Sequence, residues 1–279
     1  RLAVVGSNDD EVSDGRESAL FILEPGQPPN RLTEEFLTIA TGSQMRWTDD
    51  DRIVFIASAR GESYLCALPV RGGEVRRIAG GGLQLGAATF DSTARRAAVV
   101  ATTPASPGDI ALIETAPGAQ RQLTSYNRAY LDQHPPARLE KSILSRDGVA
   151  IESRVWLPPD FDPLETYPMV LDIHGGPHGA FSDAFQTEQQ LLASAGYIVL
   201  AVNPRGSSTY GADFMKAVHG DWGGEDYLDI MAAMDHVCTR GYVDSARLGI
   251  AGYSYGGFMS SWIIGHDTRF KAAVVGAPC

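Results

Sequence analysis

Gly252-Tyr253-Ser254-Tyr255-Gly256 sets a serine between two glycines in the spacing G-x-S-x-G. The pentapeptide follows the apolar run Leu248-Gly249-Ile250-Ala251 and precedes a helix-like stretch over residues 257–264. In that context the spacing describes a nucleophile elbow, a sharp strand-to-helix turn that holds its serine in a strained backbone conformation at the apex. The chemistry such a serine performs is acyl transfer: it attacks a carbonyl, forms an acyl-enzyme and yields it to water. Glycines at 252 and 256 let the strand and helix backbones come close, and the helix N-terminus favours negative charge developing nearby. Ser254 is therefore the expected nucleophile.

Acyl transfer also needs backbone N–H groups aimed at the oxygen of the tetrahedral intermediate. One donor is the amide of the residue after the nucleophile, here Tyr255, and the second comes from a loop after an earlier strand. His174-Gly175-Gly176-Pro177 fits that loop, because it follows Tyr167-Pro168-Met169-Val170-Leu171-Asp172-Ile173, an apolar run suited to a buried parallel strand. Gly176 is the candidate for the second donor. His174 and His178 have a metal-like spacing, but the Gly-Gly-Pro between them excludes the helix that would bring an i, i+4 pair onto one face. No metal or other cofactor is expected. His174 is read as a hydrogen bonder that fixes the loop, with direct substrate contact as the alternative. Arg205, in Asn203-Pro204-Arg205-Gly206, follows a strand end and is read either as half of a structural ion pair or as a ligand for a substrate carbonyl or carboxylate. Glu225, Asp226 and Asp229 stand at a helix start, where acidic groups complement the dipole. Tyr210, Phe214 and Trp222 are read as core residues, with pocket lining as the alternative.

A hydrolase triad on a doubly wound sheet runs Ser, then Asp or Glu, then His along the chain. Beyond Ser254 only His266 and Asp267 are available, in the wrong order and on the helix that leaves the elbow. The sequence opens at Arg1 inside a strand pattern and stops at Cys279, just after the strand-like run 272–277. The expectation is an internal piece of a longer protein, inactive by itself, whose remaining segments complete the fold.

With 44% hydrophobic residues among 279, the chain can bury large cores and is long enough for two domains. No apolar stretch approaches the length of a membrane span. A net charge of −11 argues against nucleic acid and against anionic membrane surfaces as partners. Cys66, Cys238 and Cys279 are too few and too scattered for a disulfide framework, which points to a reducing, cytoplasmic compartment.

The elements that must position these residues fall into two kinds. Up to residue 126 the chain shows short β-branched runs, turn residues and an internal repeat. Arg1-Leu2-Ala3-Val4-Val5, Arg52-Ile53-Val54-Phe55-Ile56 and Arg96-Ala97-Ala98-Val99-Val100 each begin a unit, and each unit closes on a triplet: Arg31-Leu32-Thr33, Arg77-Ile78-Ala79 or Gln122-Leu123-Thr124. A period of about 45 residues with several strands per unit suits the last blades of a β-propeller, with a β-sandwich as the alternative. Residues 127–138, with prolines at 135 and 136, read as a linker. From 139 onward a hairpin through Asp147-Gly148 is followed by strands alternating with helical stretches over 188–195 and 227–239. That alternation describes an α/β hydrolase, a doubly wound and mostly parallel sheet, and puts Ser254 at a strand's C-terminal end, where such sheets bind ligands.

Taken together, Gly-Tyr-Ser-Tyr-Gly-Gly at 252–257, His-Gly-Gly-Pro-His at 174–178, Asn-Pro-Arg-Gly-Ser-Ser at 203–208 with Tyr210-Gly211, and Asp221-Trp222-Gly223-Gly224 resemble the prolyl oligopeptidase family of serine peptidases. Its acylaminoacyl-peptidase branch is the most similar, because the loop at 174–177 lacks the tyrosine that prolyl oligopeptidases and dipeptidyl peptidases carry there. The resemblance implies a propeller ahead of an α/β-hydrolase domain, short peptides as substrates, Ser254 as nucleophile, and Tyr255 and Gly176 as oxyanion donors. The expected activity is release of N-acylated amino acids from peptide N-termini by a homo-oligomeric protein. A dipeptidyl or prolyl peptidase or an esterase of the same fold is the alternative among enzymes. A non-catalytic propeller scaffold is the alternative from another class.

Overall fold

Alternation of side chains along the early strands resolves into three antiparallel sheets in the computed structural model, which describes residues 1–7, 18–33, 37–39, 44–116 and 118–279. The first sheet contains β1 (Leu2–Gly6), β2 (Ala19–Leu23) and β3 (Asn30–Arg31). The second is the meander β4 (Met45–Trp47), β5 (Arg52–Ala59), β6 (Glu62–Pro69) and β7 (Arg76–Gly80). The third is the meander β8 (Gln84–Phe90), β9 (Arg96–Thr103), β10 (Ser106–Glu114) and β11 (Gln120–Gln122).

The middle sheet is buried on both faces, as period two requires of a strand between two neighbours. Ile53, Phe55 and Ala57 of β5 join a core with Leu20, Ile22 and Leu32 of the first sheet. Val54, between them, joins Leu65, Ala97, Val99 and Ile113 in a second core with the third sheet. Stacked four-stranded meanders are the form a propeller blade takes. The repeat starts expected at Arg1, Arg52 and Arg96 are β1, β5 and β9. In the two complete meanders these are the second strands. The strands before them escape a pattern search because β4 has three residues and β8, Gln84-Leu85-Gly86-Ala87-Ala88-Thr89-Phe90, holds a single β-branched residue.

Two of the three closing triplets share a mechanical role. Thr33 Oγ1 accepts the Leu20 amide at 3.0 Å, while the Leu32 amide donates to the Leu20 carbonyl at 2.8 Å. In the third sheet Thr124 Oγ1 accepts the Ile110 amide at 2.9 Å, and the Leu123 amide donates to the Ile110 carbonyl at 2.7 Å. The middle sheet has Ala79 at that place, without a hydroxyl.

Contacts divide the chain at Gln133/His134, and Ser182–Phe185 and Thr209–Ala212 group with the first unit. The segment 127–138, read as a linker, spans that division. It holds helix α1 (Arg128–Gln133), and β12 (Arg138–Arg146) begins at its last residue. Six residues are fewer than two helical turns, too few to show a period, and the prolines at 135 and 136 follow the helix end.

In the second unit β12 pairs with β13 (Val149–Leu157) through a two-residue turn in which Asp147 and Gly148 have φ of 51° and 79°. Positive φ at both positions is the turn whose twist matches a hairpin. The six-stranded sheet runs β12-β13-β15-β14-β16-β17, with β14 (Tyr167–Ile173), β15 (Ile198–Asn203), β16 (Val243–Tyr253) and β17 (Phe270–Gly276). The four strands β14 to β17 pair in parallel, and β13 is antiparallel to β15. Helices α2 (Thr187–Ser194), α3 (Ala212–Lys216), α4 (Glu225–Cys238) and α5 (Tyr255–His266) accompany the sheet. One face packs Val155, Leu171, Leu200 and Ile250 against Met234, Val237 and Met259 of α4 and α5, and the other packs Trp156, Val199 and Ala201 against Ala193 of α2. Each such aliphatic side chain contributes about 1.5–3 kcal/mol when fully buried. No described helix is long and apolar enough to cross a membrane.

Candidate active site

Ser254 stands alone between the last residue of β16 and the first of α5, with φ 59° and ψ −123°. Such a conformation costs a non-glycine residue roughly 1–3 kcal/mol and persists only where its surroundings enforce it. Two backbone bonds do so here: the Ser254 amide donates to the Gly276 carbonyl at 2.9 Å, and the Phe258 amide to the Ser254 carbonyl at 3.0 Å. Three glycines leave the necessary room. A Cβ on Gly252 would stand 2.3 Å from the Gly256 oxygen, on Gly256 2.1 Å from the Ile173 oxygen, and on Gly257 2.3 Å from the Gly276 oxygen. Only the first two of these follow from the G-x-S-x-G spacing.

The parallel register of β14 and β16 sets Ile173 opposite Gly252, so the loop after β14 emerges beside the elbow. A Cβ on Gly175 would lie 3.5 Å from the Ser254 Cβ. Gly176, the next residue, is exposed, with φ 133°. As the first residue of α5, Tyr255 has an amide without an intrahelical acceptor. The amides of Gly176 and Tyr255 thus belong to two chain segments that meet at Ser254.

His174 Nδ1 lies 2.9 Å from the Gly175 oxygen and Nε2 lies 3.0 Å from Ser207 Oγ. Burial pushes the imidazole down to about 4, so the ring is neutral at neutral pH and carries one N–H. The ring nitrogens thus face the Gly175 carbonyl and the Ser207 hydroxyl oxygen, and that hydroxyl donates its own hydrogen to the Pro204 carbonyl at 2.7 Å. His178 Nδ1 donates to the Gly206 carbonyl at 2.8 Å, and the Ser208 amide to the Gly179 carbonyl at 3.0 Å. Both histidines therefore tie residues 174–179 to residues 204–208. Among the described residues no group of three or more His, Cys, Asp or Glu side chains is placed to hold a metal ion.

Arg205 makes the ion pair rather than presenting a vacant guanidinium. Its Nε and Nη2 donate to Asp229 Oδ2 and Oδ1 at 2.9 and 2.7 Å, and Nη2 lies 2.8 Å from Glu225 Oε2. Hydrogen bonding to Asp229 raises its already high pKa. Arg146 reaches the same carboxylate at 2.9 Å. Asp226 accepts the Gly223 and Tyr227 amides on Oδ1 at 2.9 and 2.8 Å and the Tyr255 hydroxyl on Oδ2 at 2.5 Å. Burial pushes the Asp226 carboxyl up while these three donors pull it back. Asp226 and Asp229, read as structural residues of the helix start, are fully buried, and their bonds go to side chains and amides outside α4 as well as to its own first turn. The signal that could have found them is their i, i+3 spacing on one helical face, opposite a tyrosine and an arginine.

Of the aromatic candidates, Phe214 packs against the main core and Tyr210 lies in the segment that groups with the first unit. Trp222 is 39% exposed and meets the Tyr255 ring edge-on at 5.1 Å.

Residues 183–279 match the model of the prolyl oligopeptidase family. The Bacillus subtilis peptidase YuxL is 43% identical over 157 residues, which are 56% of this chain and 24% of that protein. Dipeptidyl-peptidase 5 of Porphyromonas gingivalis is 33% identical over 285 residues, covering 95% of this chain and 41% of that protein. Among solved structures, the acylaminoacyl peptidase of Pyrococcus horikoshii superposes with a TM-score of 0.85 at 26% identity, over 99% of this chain and 42% of that one. The chain thus spans less than half the length of each of these proteins. Family model, sequence relatives and superposition agree: the chain belongs to the prolyl oligopeptidase family.

Proposed function

We propose that the chain carries the nucleophilic half of a serine peptidase acting on short peptides. Ser254 attacks the scissile carbonyl, the Tyr255 and Gly176 amides receive the oxyanion, and water hydrolyses the acyl-enzyme. A histidine and an acidic residue from the remainder of the complete protein act as base and orienter. The first unit contributes blades of a β-propeller. The observation that carries this reading is the left-handed backbone of Ser254, held at a strand-to-helix junction beside the Gly175 loop. A serine without a task has no physical reason to sit in a strained conformation, which weighs against a non-catalytic scaffold.

The amine of the shortened peptide departs first, and the fragment that water then frees from Ser254 is an N-acylated amino acid, a reading supported by the superposition on an acylaminoacyl peptidase. Release of dipeptides is the second reading, favoured by the Porphyromonas gingivalis relative, which aligns with 95% of the chain. A panel of N-acetyl-aminoacyl, free aminoacyl and dipeptidyl chromogenic substrates, given to the complete protein and to Ser254→Ala, separates them. Ser254-dependent cleavage of the acylated compound alone is the expected result. Cleavage of dipeptidyl substrates instead selects the second reading, and turnover of none of them overturns both.

A further inference from the structure

Asp226 and Asp229 lie three residues apart at the N-terminal end of α4, each 0% exposed. Burying two carboxylates is strongly unfavourable unless their oxygens are fully used. They are. Asp226 holds the hydroxyl of Tyr255 together with two amides, while Asp229 accepts the Arg205 amide at 3.0 Å in addition to the forked guanidinium. Asp229 thereby fixes both backbone and side chain of Arg205, within residues 204–208. That segment is bonded in turn to residues 174–179 at three points: Ser207 to His174, Gly206 to His178, and Ser208 to Gly179.

One turn of one helix therefore grips two segments. Through Asp226 it holds the residue whose amide follows the nucleophile. Through Asp229, Arg205 and the 204–208 segment it holds the loop that carries Gly176. We propose that the N-terminal end of α4 sets the distance between the two oxyanion donors, with Asp226 and Asp229 as positioning residues. This rests on the assignment of Ser254, Tyr255 and Gly176 made above. A helix that merely braced the sheet would need neither the hydroxyl of Tyr255 nor the backbone amide of Arg205.

Misplacing a donor weakens binding of the transition state and leaves the ground state almost untouched, so the effect falls on kcat. The test uses the complete protein and its best substrate, with kcat counted per serine labelled by a fluorophosphonate. Asp226→Ala is expected to lower kcat about tenfold or more with KM changed less than about twofold, since loss of a whole donor costs about 100-fold or more. Tyr255→Phe, which removes one oxygen, is expected to lower kcat about threefold and decides the matter if Asp226→Ala does not fold. Asp226→Asn keeps an acceptor for the two amides and turns its NH2 toward the tyrosine oxygen, so it is expected to retain kcat within about threefold. Unchanged kcat per labelled serine in both Asp226→Ala and Tyr255→Phe, with only the melting temperature lowered, overturns the proposal. Turnover surviving in Ser254→Ala overturns instead the site assignment beneath it.

Discussion

Gly256 brings the backbone of α5 onto β14 so closely that a Cβ on the glycine would stand 2.1 Å from the carbonyl oxygen of Ile173. Neither backbone can retreat, because β14 is inside the sheet and α5 is tied to Ser254. Gly256→Ala is expected to destabilise the second unit by about 3 kcal/mol or more, or to prevent folding, by the overpacking of a rigid site. Gly265, ten residues into the same helix, has nothing within 4 Å of its would-be Cβ. Gly265→Ala is expected to stabilise by about 0.4–1 kcal/mol. Denaturant titrations of the two variants of the complete protein check both signs, and equal effects would contradict the close approach.

Asp172, buried at the end of β14 and accepting from Gln189, has a pKa raised from 3.8 to about 6, chiefly by burial. Between about pH 4 and 6 the folded chain binds more protons at this site than the unfolded one, so its contribution to stability falls as pH rises. His174 acts in the opposite sense, because its pKa is depressed from 6.5 to about 4 and the unfolded chain then binds more protons. The two slopes oppose each other in the wild type. Asp172→Asn removes the first, so its stability relative to wild type should improve on going from pH 4 to 7, by up to roughly 3 kcal/mol. A pH-independent difference between the two proteins would contradict the assignment.

Arg205 offers a direct choice between structural and substrate roles. With Asp229 fully buried, Arg205→Met leaves that carboxylate with Arg146 and the residue 205 amide but without its forked guanidinium, and is expected to cost about 3 kcal/mol of stability. If the guanidinium instead bound a substrate carboxylate, KM would rise for substrates that carry one, with stability little changed. Thermal denaturation beside KM measurements distinguishes the outcomes, and the ion pairs predict the first.

Thr124 makes a local prediction for the first unit. Its hydroxyl donates to Asp109 at 2.6 Å and accepts the Ile110 amide. Thr124→Val, equal in shape, leaves both partners short of a bond and is expected to cost about 1–3 kcal/mol, whereas Thr124→Ser should retain most of the stability. Equal midpoints for the two variants in urea would show that the triplet hydroxyl carries no load.

How much of this was legible in the sequence depended on whether the signal was local. Residues 252–256 specify their own turn, and Asp147-Gly148 specifies a hairpin, because positive φ demands particular residue types at particular places. Strands rich in β-branched residues, such as β5 and β15, announce themselves by period and composition. Helix α1 and strands β4 and β8 do not, being too short or too poor in β-branched residues to show a period. The roles of Asp226, Asp229 and Ser207 were illegible for another reason. Their partners lie 29, 24 and 33 residues away, and only the fold brings Tyr255, Arg205 and His174 to them. Gly257 belongs with them, since the carbonyl it accommodates comes from Gly276.

The most direct test of the central claim is to treat the complete protein with a fluorophosphonate and locate the adduct by peptide mass spectrometry. Stoichiometric modification of Ser254, abolished in Ser254→Ala, is the predicted result. An adduct on any other residue, or none on a protein that still cleaves its substrate, would contradict the account.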